Sequence, residues 1–157
     1  MTAGASLVQD FWVGSQPRLR GRRCAPFEDA AVRMLFLLDR GGTLEEEAVA
    51  GFLESLGARI DVAALVPRGQ GGSDGTFGPD VRDDFAGLLE AAARRWPDGL
   101  PLLVAGHGVG GTVALSLADH PAACGTLALA PGLPRDALGE SLSRVFDVPR
   151  HEPASDL

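Results

Sequence analysis

Residues 106–111, Gly106-His107-Gly108-Val109-Gly110-Gly111, set glycines at four of six positions directly behind the apolar run Pro101-Leu102-Leu103-Val104-Ala105. A short apolar run closed by glycines reads as a buried strand that turns sharply into a helix, because glycine accepts positive φ and close backbone approach without steric cost. The same grammar appears twice earlier. Residues 33–38 are apolar from Met34 onward and stop at Asp39-Arg40-Gly41-Gly42. Residues 59–66 form a second apolar run, closed by the loop Pro67-Arg68-Gly69-Gln70-Gly71-Gly72-Ser73-Asp74-Gly75. Helical signals follow each turn. Thr43 is a candidate cap with Glu46 as its capping-box partner, Val49, Phe52, Leu53 and Leu56 recur at helical spacing, and Gly57 is a stop. Pro79 opens a second helix whose buried face is Val81, Phe85, Leu88, Leu89 and Ala92, ended by Pro97-Asp98-Gly99. A third helix is expected over about 112–119 and a last strand over 125–130.

Alternating strands and helices predict a three-layer α/β domain with a mainly parallel sheet and helices on both faces. The expected organisation is a single domain over 1–157, with the core at 33–133. Residues 1–25 form an edge hairpin or extended segment, and residues 135–157 a C-terminal helix and frayed tail containing Pro149 and Pro153.

Composition narrows the function classes. At 45% hydrophobic and 22% charged residues, the chain is not of the fully disordered type. Its net charge of −7 argues against general nucleic-acid binding, and every basic residue is arginine. Arg18, Arg20, Arg22 and Arg23 nevertheless stand against Asp10 alone within residues 1–25, which reads as a solvated arginine-rich strand rather than a docking patch. No run approaches the roughly 18 apolar residues of a membrane span. The opening Met1-Thr2-Ala3-Gly4-Ala5-Ser6 has no early positive charge and no sustained apolar stretch follows, so the expectation is a cytoplasmic chain. Cys24 and Cys124 show no paired spacing and read as reduced packing residues, while His107, His120 and His151 form no ligand motif with them. No metal is expected.

The turn itself satisfies the dinucleotide pattern G-x-G-x-x-G. A dinucleotide site also needs an acidic residue at the end of the next strand to hold the ribose, and that strand ends in Ala130-Pro131-Gly132. No nicotinamide, flavin or other cofactor is therefore expected. The stretch Gly106, His107, Gly108, Val109, Gly110 resembles the nucleophile elbow of the α/β-hydrolase superfamily in its G-H-S-x-G-G form. The loop at 67–75 is similar to the D-x-R-G-H-G-x-S-x-G loop of the serine-aminopeptidase and monoacylglycerol-lipase-like (lysophospholipase) branch. Pro101 to Val104 before the elbow and Leu127 to Pro131 after it match that branch in kind and spacing. The similarity covers roughly residues 10–133 and implies the N-terminal part of the hydrolase fold.

Against that family the elbow carries Gly108 where a serine would supply the attacking oxygen. Between Gly108 and Leu157 there is room for a helix, a strand and a tail, and Asp136, Asp147 and His151 are the formal candidates for an acid and a base. The oxyanion loop reads Asp39, Arg40, Gly41 where the family has His-Gly, and backbone amides near Arg40 and Val109 are placed to converge on an anion. Asp39 would oppose a negative ligand there and Arg40 would favour one. Gln70 stands where histidine is common. Ser73 and Ser116 follow no elbow and have no recognisable base. No catalytic residue is assigned. The resulting expectation is a catalytically inactive hydrolase-like domain that binds a small acyl or anionic ligand in a remnant pocket, or pairs with a second copy or a partner protein along an exposed sheet edge. The alternative is a hydrolase of carboxylic esters, lipids or short peptides that uses another nucleophile or a partner chain.

Overall fold

In a computed structural model the described residues are 6–26, 29–96 and 99–131. The chain opens with an antiparallel hairpin of β1 (Ser6–Val13) and β2 (Leu19–Pro26), in which Ser6 faces Pro26 and Val13 faces Leu19. Then follow β3 (Arg33–Leu37), α1 (Glu47–Gly57), β4 (Asp61–Leu65), α2 (Val81–Arg95), β5 (Leu102–His107), α3 (Val109–Ser116) and β6 (Gly125–Leu129). One sheet holds them in the order β1-β2-β4-β3-β5-β6. β4, β3, β5 and β6 run parallel, whereas β2 meets β4 antiparallel. This is the mainly parallel α/β sheet expected from the alternating pattern.

Period-two alternation along the central strands divides the core into two layers. Met34 and Phe36 of β3 join Val62 and Ala64 of β4 on the face covered by α1 through Leu53. Leu35, Leu37, Ala63 and Leu65 point the other way and pack on Val81, Phe85 and Leu89 of α2 and on Val113 and Ala114 of α3. Both faces of the inner strands are thus buried, which is why these runs are apolar without alternation in the sequence. On α2 the apolar spacing behaves as expected, except that Leu88 is half-buried.

Several boundaries differ from the sequence expectation. α1 starts at Glu47 with Glu46 as its cap residue and no side-chain capping bond, so the Thr43–Glu46 capping box does not form. Thr43 instead accepts a backbone bond from Glu46 in the preceding turn. Pro79 lies two residues ahead of α2, whose cap residue is Asp80; the Arg68 guanidinium takes the Asp80 carboxylate at 2.7 Å and so ties the loop before the helix to its start. β5 continues through Gly106 and His107, and α3 begins at Val109 rather than near 112. Its glycines explain the shift: a Cβ at Gly110 would lie 2.1 Å from the Leu37 carbonyl oxygen, so the helix starts in direct backbone contact with β3. The helix and tail expected over 135–157 lie outside the described residues.

Candidate functional site

The carboxyl ends of β3 and β5 lie side by side, with Leu37 opposite Gly106, and both turns that follow face the same crevice. Such a crevice, beyond the carboxyl ends of parallel strands, is where open α/β sheets place ligands. On the β5 side, Gly108 has φ 56° and ψ −121°, a strained conformation that glycine adopts without steric cost and that costs a residue with a Cβ about 1–3 kcal/mol. Its N–H donates to the Leu129 carbonyl at 3.0 Å, and its own carbonyl accepts the first bond of α3 from Thr112 at 3.1 Å. The sharp strand-to-helix turn read from the glycines is therefore present.

On the β3 side, Leu38 and Asp39 lead into a turn closed by Gly42 N–H donating to the Asp39 carbonyl at 3.1 Å. The Asp39 side chain reaches across to the glycine turn. Its Oδ1 accepts from the Arg40 N–H at 2.7 Å and from the Val109 N–H at 2.9 Å. These are the two amides expected to converge on an anion, and they do converge; the anion they hold is the chain's own carboxylate. Both amides donate to a charged acceptor, and the N-terminal end of α3 adds to the attraction. A Cβ placed on Gly108 would fall 2.2 Å from the Asp39 carboxyl carbon. A side chain at 108 would therefore have to push the Asp39 carboxylate off these amides.

The remaining neighbours are held from the loop at 67–75. Gln70 Oε1 accepts from the Gly41 N–H at 3.1 Å while its Nε2 donates to the Gly69 carbonyl at 2.8 Å. Sequence reasoning noted Gln70 only as a replacement for histidine, and missed that it anchors the Asp39-Arg40-Gly41 turn. His107 is half-exposed, with Nδ1 3.8 Å from Asp39 Oδ2, beyond hydrogen-bond reach. Ser73 is engaged structurally: its hydroxyl donates to the Val66 carbonyl and accepts from the Arg20 N–H, both at 2.9 Å. Ser116 donates back to the Val113 carbonyl within its own helix. His120 lies apart from the site, accepting from the Ala122 N–H through Nδ1. Asp136, Asp147 and His151 lie outside the described residues.

Beside Asp39 opens a cavity of about 500 Å³, within the range of small-molecule sites. Phe36, Leu38, Val49, Phe52 and Leu129 supply its apolar lining, and Asp39, Arg40, Glu46 and His107 its polar one. Phe52 was expected on the buried face of α1, yet it is 37% exposed because it faces this cavity. Its helical spacing could not reveal that, since the apolar stripe is read without knowing how much of it the sheet covers. Among the described residues no group of three or more His, Cys, Asp or Glu is placed to hold a metal ion, and no helix is long and apolar enough to cross a membrane.

Residues 45–146 match the family model described as serine aminopeptidase, S33. Solved structures similar to the chain include the esterase Pf2001 of Pyrococcus furiosus, at 20% identity and a TM-score of 0.65, covering 80% of this chain and 52% of that one. XC6422 of Xanthomonas campestris, an α/β serine hydrolase without a lid, is 23% identical at a TM-score of 0.65, covering 83% and 63%. Brefeldin A esterase, a bacterial homologue of human hormone-sensitive lipase, is 15% identical at a TM-score of 0.69, covering 84% and 42%. The chain thus spans about half the length of these structures, and the likeness is one of fold. No curated protein matches the chain.

Proposed function

The chain belongs to the serine aminopeptidase S33 family of α/β-hydrolase-fold proteins, and from that premise we propose that it binds a small ligand in the cavity beside Asp39 and does not cleave esters. The observation that carries this reading is the Asp39 carboxylate seated on the Arg40 and Val109 amides. Acyl transfer needs those donors open to a developing oxyanion, and it needs an oxygen nucleophile beside them. Here the donors already hold a full negative charge, and Gly108 offers no oxygen. An anionic ligand would have to displace Asp39 from both amides. The cavity remains available to a ligand that leaves Asp39 in place.

Hydrolysis of nitrophenyl butyrate tests the reading with two proteins, the native chain and Gly108→Ser. The native chain and the single variant are expected to match the uncatalysed rate, the single variant because the Asp39 carboxylate keeps its negative charge beside the two amides that an oxyanion would need. Native turnover well above the uncatalysed rate, lost on treatment with a serine-directed phosphonate, would overturn the proposal in favour of a hydrolase using another nucleophile.

A further inference from the structure

The chemistry of a ligand in this cavity follows from which polar groups are still open to it, and the inference rests on the binding reading above. Backbone amides that would draw a carboxylate or phosphate are engaged by Asp39 Oδ1. The other oxygen, Oδ2, belongs to a side chain 38% exposed and has His107 Nδ1 at 3.8 Å. Glu46 brings a second carboxylate to the same lining. The one arginine there, Arg40, holds its guanidinium over the Phe77 ring, 5.3 Å from the centroid, and that ring is not part of the cavity wall. Phe36 and Phe52 stand as a tilted pair with ring centroids 5.5 Å apart, and both line the cavity.

Aromatic rings attract cations through the negative potential over their faces, more strongly where water is partly excluded. Carboxylates open to solvent add a direct charge partner, and the chain's net charge of −7 favours the approach of cations over anions. The apolar remainder of the wall, Val49 and Leu129, suits hydrocarbon. We propose that the cavity binds an organic ammonium ion carrying a short apolar chain, with the nitrogen at Asp39 and Glu46 beside the Phe36–Phe52 pair and the hydrocarbon against Val49 and Leu129.

Titration calorimetry of the full chain with hexylammonium, hexanol and hexanoate at one ionic strength tests this. Hexylammonium is expected to bind roughly tenfold tighter than hexanol, with hexanoate weakest. Glu46→Gln, at an exposed position, and Asp39→Asn, which keeps an oxygen for the two amides, are each expected to weaken hexylammonium several-fold while leaving hexanol unchanged. Hexanoate binding as tightly as hexylammonium, or both variants leaving hexylammonium unchanged, would overturn the cation preference. Equal binding of hexanol and hexylammonium would remove the preference while the ligand-binding reading stands. If none of the three probes binds, both readings fall together.

Discussion

Asp39 and Gly108 depend on each other. The backbone at 108 sits at φ 56°, where a residue with a Cβ is strained by about 1–3 kcal/mol, and the Asp39 carboxyl occupies the space such a side chain would enter. Gly108→Ser is therefore expected to destabilise the chain by more than the backbone strain alone. Asp39→Gly should relieve the collision but not the strain, so a double-mutant cycle by urea denaturation should return a coupling energy above about 0.5 kcal/mol. Strict additivity would mean that the two positions do not share space. Both residues were legible in the sequence as candidates, one at the elbow and one in the oxyanion loop. Their contact was not, because the loop between β3 and α1 carries no local signal for which way the Asp39 side chain turns.

At the scale of elements, the glycines around α3 act by close approach. A Cβ at Gly106 would lie 2.2 Å from the Gly110 backbone, and one at Gly110 would lie 2.1 Å from the Leu37 carbonyl oxygen. These contacts join β5, α3 and β3 into one packed unit and bring the carboxyl end of β3 against the glycine turn. Gly110→Ala should cost at least the 1–3 kcal/mol typical of overpacking. Gly51→Ala is the contrasting case: Gly51 lies within α1 with open space around it, and alanine there should stabilise by roughly 0.5–1 kcal/mol. Urea midpoints of the two variants should shift in opposite directions. A Gly110→Ala midpoint equal to that of the native chain would show that α3 can retreat from β3 at no cost.

Across the whole molecule, the arginines that read as a solvated basic strand are matched by carboxylates from the hairpin partner and from more distant elements. Arg18 meets Asp74 at 3.1 Å, Arg20 meets Asp10 and Glu45, and Arg22 meets Asp10 at 2.6 Å. Arg23 and Arg33 both reach the buried Asp61, linking β2, β3 and β4. Among the described residues, the local positive excess of residues 1–25 is thus matched by Asp74, Glu45 and Asp61. The Arg22 hydrogen bond, helped by the nearby Arg20 charge and opposed by partial burial, holds the Asp10 carboxyl below its ordinary value of 3.8. A lowered carboxylate pKa stabilises the fold fully above that ordinary value, and the contribution disappears as the pH falls through the lowered one. Urea midpoints of the native chain and Asp10→Asn should therefore differ near pH 5 and draw together as the pH falls below the ordinary value of 3.8. A gap that stays constant over this range would assign the stability of the hairpin to something other than the Asp10 charge.

The order of strands and helices, the mainly parallel sheet and the glycine turn after β5 are all legible in the amino-acid order, because each rests on local rules: apolar period, glycine tolerance and short connections. The amino-acid order also carried the family resemblance, since those local rules repeat at the family's spacing. Helix starts were less legible. Thr43 has the chemistry of a cap, but packing of the loop beside it decided that α1 begins four residues later. The state of the site was decided by tertiary structure alone. Asp39 and Val109 are 70 residues apart in the chain, and only the adjacency of β3 and β5 in the sheet sets a carboxylate from one turn on the amide of the other. Whether two converging amides stay open or are filled from within depends on distances of a few ångströms between separate elements, which no periodicity encodes.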